Sequence, residues 1–138
     1  ATVVTHSPTV AVALAQHAHI DILMLGGRLY RHSMVNVGAA VIDAAAHYRA
    51  DLFFMGVTGV HPEAGLSTGD GEEADVKRAL SARAAETVVL ASSEKLLAAS
   101  AFVIAPVNTL AALVVPRGTA AATVRGFKKL GVSVITAA

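Results

Sequence analysis

The chain has 138 residues and a formal net charge of +1 from 11 basic and 10 acidic side chains. It is 54% hydrophobic, only 4% aromatic, and contains no cysteine. This composition excludes a disulfide framework, thiolate metal sites and cysteine nucleophiles, excludes a disordered chain, and argues against a broad nucleic-acid footprint.

One domain with its own core is the expectation at this length. Alanine is about a fifth of the residues, well above ordinary usage. The core must therefore be built from small aliphatic layers. No apolar run approaches the roughly 20 residues of a membrane span. No charged leader precedes an apolar region, so a cytoplasmic setting is expected.

In chain order, Thr2–Thr5 is short and β-branched, which predicts a strand. Ser7-Pro8 opens a helix, with Ser7 as N-cap and Pro8 at the first helical position. Asp21–Leu25 reads as a buried strand ended by Gly26-Gly27. Arg28–Val37 is expected to be an extended or looped crossing, and Gly38–Arg49 a helix. Asp51–Gly56 is a second buried run. Val57–Gly71 is rich in glycine and is expected to be a long irregular loop. Glu72–Ala85 is a helix, Thr87–Ala91 a strand, and Phe102–Ala105 a short strand. Ala112–Val115, Thr119–Leu130 and Val132–Thr136 complete a strand, helix and strand. Nearly all-apolar strands alternating with helices predict an α/β fold: a Rossmann-like open, mainly parallel sheet with helices on both faces. Ligands of such sheets bind beyond the carboxyl ends of strands.

Four segments carry candidate chemistry. Gly26 and Gly27 let backbone amides approach a ligand, and Arg28 offers a bidentate fork for phosphate. An ordinary turn with a surface arginine accounts for the same residues. Gly56–Gly59 and Gly65–Gly69, with Thr58 and Thr68, present amide and hydroxyl donors after a strand. They form neither a P-loop nor a GxGxxG fingerprint. Asp70, Glu72, Glu73 and Asp75 cluster at a helix start. Asp70 as N-cap with Glu73 makes a capping box, and Glu73–Lys77 is a favourable i,i+4 pair. A functional version places Glu73 and Lys77 at a ligand, on hydroxyls and phosphate respectively. Lys95, in Ser92-Ser93-Glu94-Lys95, stands at the carboxyl edge of the sheet. The histidines show no strong metal spacing, and no hydrolase elbow is present. The expectation is no cofactor, no metal site and no catalytic residue.

The order of motifs is more specific than any one of them. Thr5-His6-Ser7, LGGRLYR (Leu25–Arg31), ADLFFMGVTGV (Ala50–Val60), GLSTGDGEEADVKRAL (Gly65–Leu80) and VVLASSEK (Val88–Lys95) resemble the C-terminal effector-sensing domain of DeoR-type bacterial transcriptional regulators. The resemblance covers nearly the whole chain. It implies a fold akin to ribose-5-phosphate isomerase, a phosphorylated sugar or related metabolite as effector, repression relieved by that ligand, and a homo-oligomer, dimer or tetramer. Carried over, the ligand-binding positions are Gly26, Gly27, Arg28, Thr58, Gly59, Thr68, Glu73, Lys77 and Lys95. The family's winged helix-turn-helix has no counterpart here, nor does its first sensor strand with an Asp-x-Gly-Thr-Thr loop. DNA contact is therefore expected through an N-terminal domain outside this sequence, and no membrane contact is expected. Ser92 stands where the family has aspartate, and Gly56-Val57-Thr58-Gly59 replaces Gly-x-Asp-Gly. These departures keep two alternatives in view. One is a sugar-phosphate isomerase-like enzyme with Glu73 as base. The other is an oligomerisation module with a degenerate pocket.

Overall fold

The computed structural model describes residues 1–138. The chain divides into two compact units, Ala1–Tyr48 and Arg49–Ala138.

In the first unit, β1 (Thr2–Thr5) pairs in parallel with β2 (Asp21–Met24). Between them lies α1 (Pro8–Leu14), with Ser7 Oγ accepting from the Val10 N–H at 3.3 Å and Pro8 in the first turn. The expected crossing at Arg28–Val37 is an antiparallel hairpin of β3 (Arg28–Tyr30) and β4 (Val35–Val37). Its turn is closed by Met34 at φ 54°, a left-handed conformation unusual for a residue with a Cβ. Helix α2 (Ala39–Ala45) follows Gly38. Leu25, Val37, Val41 and Ala45 are the buried apolar residues of this unit. Buried Asn36 ties it together: its side-chain amide donates to the Leu25 carbonyl at 2.9 Å and its N–H to the His6 carbonyl at 2.7 Å.

The second unit holds a four-stranded all-parallel sheet. Its strands are β5 (Ala50–Phe54), β8 (Ala84–Leu90), β10 (Ala112–Val115) and β11 (Val134–Thr136), in the order β11-β10-β8-β5. Helix α3 (Gly71–Arg83) precedes β8, and α4 (Ala121–Lys128) precedes β11. One face of this sheet carries the core. Met55, Val89, Leu113 and Val115 pack with Ala74 of α3 and Phe127 of α4 in one cluster. The alternate residues Leu52, Phe54, Leu90 and Ile135 are exposed, as the period of two along a strand requires.

The irregular loop expected at Val57–Gly71 is largely regular. It contains β6 (Gly59–His61) and β7 (Gly65–Thr68), an antiparallel hairpin extended by β9 (Phe102–Ala105). The glycines that suggested irregularity serve close packing. Gly65 has φ +80°, and a Cβ there would lie 2.6 Å from the Ala105 carbonyl oxygen. Leu66, Ser67 and Thr68 are wholly buried.

Helix α3 stops at Arg83 and β8 starts at Ala84, with no loop between them. Ala84 and Glu86 register against Ala50 and Leu52. Ladder pairing thus overrides the helix preference of Ala84, Ala85 and Glu86.

Candidate functional site

The carboxyl ends of β5 and β8 feed two loops, Gly56–Thr58 and Ala91–Ser100, and α3 supplies the polar side chains beside them. Asp70 caps α3, its carboxylate accepting from the Glu73 N–H at 2.9 Å. The Glu73 side chain turns inward. One carboxylate oxygen meets Lys77 Nζ at 3.2 Å and the other accepts from the Thr68 hydroxyl at 3.2 Å. Glu73 and Lys77 are only 4% and 6% exposed. The i,i+4 spacing therefore makes a buried pair rather than a solvated one.

Burial pushes the Lys77 ammonium below its ordinary pKa of 10.5. Glu73 opposes that shift by charge and hydrogen bond, and the neighbouring Lys95 charge adds to it. A second cation, Lys95, thus stands near the buried Glu73–Lys77 pair. Two ammonium groups and one carboxylate leave an excess of positive charge that a bound anion would offset, and charge-assisted hydrogen bonds to it are strong in a partly desolvated site. Gly56 leaves that approach open: a Cβ there would lie 3.9 Å from Lys77 Nζ.

Lys95 closes a single 3₁₀ turn, Ser93–Lys95, after β8, at the carboxyl edge where the sequence places it. The next residues are bent sharply. Leu97 has φ +66°, and its N–H donates to the Val60 carbonyl at 2.7 Å. A leucine in this region is strained, and such strain gathers at ligand clamps and switch segments.

A second polar group involves Thr58. Its hydroxyl lies 2.5 Å from that of Ser100, and both are braced by buried Ser67. Gly59 belongs to the same packing, since a Cβ there would stand 2.5 Å from the Ala98 carbonyl oxygen and 2.7 Å from Ser67 Oγ. Of the expected site residues, Thr58, Gly59, Thr68, Glu73, Lys77 and Lys95 all fall in the second unit. Ser100 was not legible in sequence. It lies in an alanine-rich stretch without a motif, 42 positions from its partner.

Gly26, Gly27 and Arg28 lie in the first unit. Gly27 has a packing role. A Cβ there would stand 2.6 Å from Val41 Cγ2 and 2.7 Å from the Val37 carbonyl oxygen. Gly26 has nothing within 4 Å of its would-be Cβ, so its backbone is open to approach. Arg28 is exposed at the start of β3, paired with Val37.

Comparison with known protein families matches residues 1–117 to the DeoR C terminal sensor domain. The chain belongs to that family. Among curated relatives, this sensor domain is 30% identical over 131 residues to a putative aga operon transcriptional repressor of Escherichia coli O157:H7. That match covers 95% of the chain and 49% of the relative. It is 31% identical over 116 residues to the HTH-type transcriptional repressor GlcR of Bacillus subtilis, covering 84% of the chain and 45% of the relative. A glycerol-3-phosphate regulon repressor of Haemophilus influenzae is 28% identical over 93 residues, 67% of the chain and 36% of the relative. The DeoR sensor domain described here thus spans half or less of the length of these relatives. No helix in it is long and apolar enough to cross a membrane.

Proposed function

We propose that this DeoR sensor domain binds a phosphorylated sugar or a related small phosphorylated metabolite. In this reading Lys77 and Lys95 take the phosphate, while Glu73, Thr58 and Thr68 order the hydroxyl-bearing end. The observation that carries it is a buried Glu73–Lys77 pair with the Lys95 charge close to it, at the carboxyl edge of a parallel sheet. Gly26 and Arg28 offer a further amide and guanidinium to an anion in the first unit. The name of the Haemophilus influenzae relative, with its phosphorylated glycerol, fits the same ligand class.

Ligand occupancy would then act as a regulatory signal rather than lead to turnover. Thr58 and Ser92 stand where a catalytic relative would need a carboxylate. The signal would bias an assembly whose DNA contact lies in a helix-turn-helix segment like that named for GlcR. Such coupling requires that the ligand favour one of two states. A homo-oligomer, dimer or tetramer, would carry it.

Thermal-shift and calorimetric titration of the intact protein tests the reading. Glycerol 3-phosphate, ribose 5-phosphate and glucose 6-phosphate are compared with their unphosphorylated counterparts. A rise in melting temperature with at least one phosphate ester, and with none of the parent sugars, is expected. A shift by the unphosphorylated compounds alone overturns it. Turnover of ribose 5-phosphate that disappears in Glu73→Gln would instead make the protein an isomerase.

A further inference from the structure

The Thr58 and Ser100 hydroxyls meet at 2.5 Å in an exposed position. Beneath them Ser67 is wholly buried. The Ser67 carbonyl accepts from the Thr58 N–H at 3.0 Å and from the Thr58 hydroxyl at 3.3 Å. The Ser67 hydroxyl oxygen accepts from the Ser100 N–H at 2.8 Å. Both partners are thereby bonded to one buried residue.

Proton counting sets the direction of this pair. A hydroxyl has one proton to donate and two lone pairs to accept with, and a carbonyl oxygen only accepts. The Thr58 hydroxyl reaches the Ser67 carbonyl at 3.3 Å. With its proton placed there, Ser100 is the donor in the contact between the two hydroxyls, where either oxygen has the geometry to donate. Its proton is committed as well. Both oxygens then face solvent with lone pairs alone.

Such a pair has nothing to offer a phosphate oxygen, which is itself an acceptor. It suits a group that donates. Thr58 stands two residues from Gly56, the backbone beside Lys77 Nζ, and two extended residues span at most about 7 Å. Ser100 stands at the end of the bent segment that begins with Lys95. An anion site and an acceptor pair thus lie within the length of a small sugar phosphate.

We infer that Ser100 is a specificity-determining residue: together with Thr58 it accepts a hydrogen bond from a ligand hydroxyl and leaves the phosphate to the lysines. This inference rests on the phosphorylated-sugar reading above. It assigns the hydroxyl-reading role to a residue that belongs to none of the sequence motifs.

The test is calorimetric titration of the full chain and its variants. The probes are inorganic phosphate, glycerol 3-phosphate, ribose 5-phosphate and glucose 6-phosphate. Ser100→Ala should weaken the tightest sugar phosphate by about three- to tenfold, the scale of one neutral hydrogen bond. Inorganic phosphate should change by less than about twofold. Thr58→Val is nearly isosteric and removes the acceptor of the Ser100 proton, turning that proton outward. It should narrow the preference for the sugar phosphate over inorganic phosphate. Lys95→Ala should weaken every probe. If Ser100→Ala weakens all probes equally or none, while Lys95→Ala still weakens them, the inference fails and the phosphorylated-sugar reading stands. If no sugar phosphate binds the unmodified chain, both fall. Ser100→Ala keeps the N–H bond to Ser67, so coincident melting curves separate lost contacts from lost folding.

Discussion

Helix α3 carries two acid–base pairs that look alike in sequence and differ in the fold. Glu73 and Lys77 are four apart, and their side chains are 5% and 7% exposed. Asp75 and Arg78 are three apart, and theirs are 56% and 46% exposed. The first pair is joined by the Thr68 hydroxyl and stands beside Lys95. In the second, Arg78 bonds Asp75 and also donates to the Val103 carbonyl at 2.6 Å. Spacing alone makes both pairs helix-surface contacts worth tenths of a kcal/mol. Burial separates them. Removing one member of a buried pair strands an uncompensated charge, whereas an exposed pair is screened by water and salt.

The largest expected effect breaks the buried pair. Lys77→Met should destabilise the protein by about 3–5 kcal/mol, the cost of leaving one buried charge unpaired. Urea unfolding measures it. The double variant Glu73→Gln/Lys77→Met should recover most of that loss. If the single and double variants lose equally, charge is not what holds the pair.

Alkaline pH sharpens the same contrast. In the folded protein Lys77 releases its proton below 10.5, its ordinary value. Between the folded value and 10.5 the unfolded chain binds more protons, so this group's contribution to stability rises with pH across that interval. Unfolding curves taken from neutral to strongly alkaline pH should show the rise, and Lys77→Met should lack it.

A smaller effect tests the backbone that carries Lys95. Leu97→Gly relieves a left-handed leucine, which costs about 1–2 kcal/mol, and adds the chain entropy of glycine, about 0.5–1 kcal/mol. A net gain of up to about 1.5 kcal/mol in thermal unfolding is expected. A loss would show that the Leu97 side chain has a packing role. The smallest effect belongs to the exposed pair. Asp75→Asn should change stability by less than about 0.5 kcal/mol and make it less salt-dependent.

Much of the fold was legible because its signals are local. The Ser7-Pro8 helix start, the Asp70 cap and the apolar runs of β5, β8 and β10 each depend on a few neighbouring residues. The hairpin within Val57–Gly71 is hidden in the sequence because glycine has two uses. Gly59 and Gly65 looked like freedom of the chain, whereas they allow β6 and β7 to press against the Ala98 and Ala105 carbonyls. The expected crossing at Arg28–Val37 became a hairpin for a comparable reason. Its turn residue is Met34 at positive φ, which no local preference of methionine announces.

In the site, residue order is enough to tell which chemical groups follow the strand ends: glycines, hydroxyls, Glu73, Lys77 and Lys95. Residue type and distance along one helix suffice for that. Folding buries Glu73 and Lys77 together, turns the Thr68 hydroxyl onto Glu73 and brings Ser100 to Thr58, none of which residue order specifies. The reason is physical. A side chain's charge and hydrogen-bonding capacity are properties of the residue, but its dielectric surroundings and its partner depend on distant chain. Here that partner lies as far as 42 residues away.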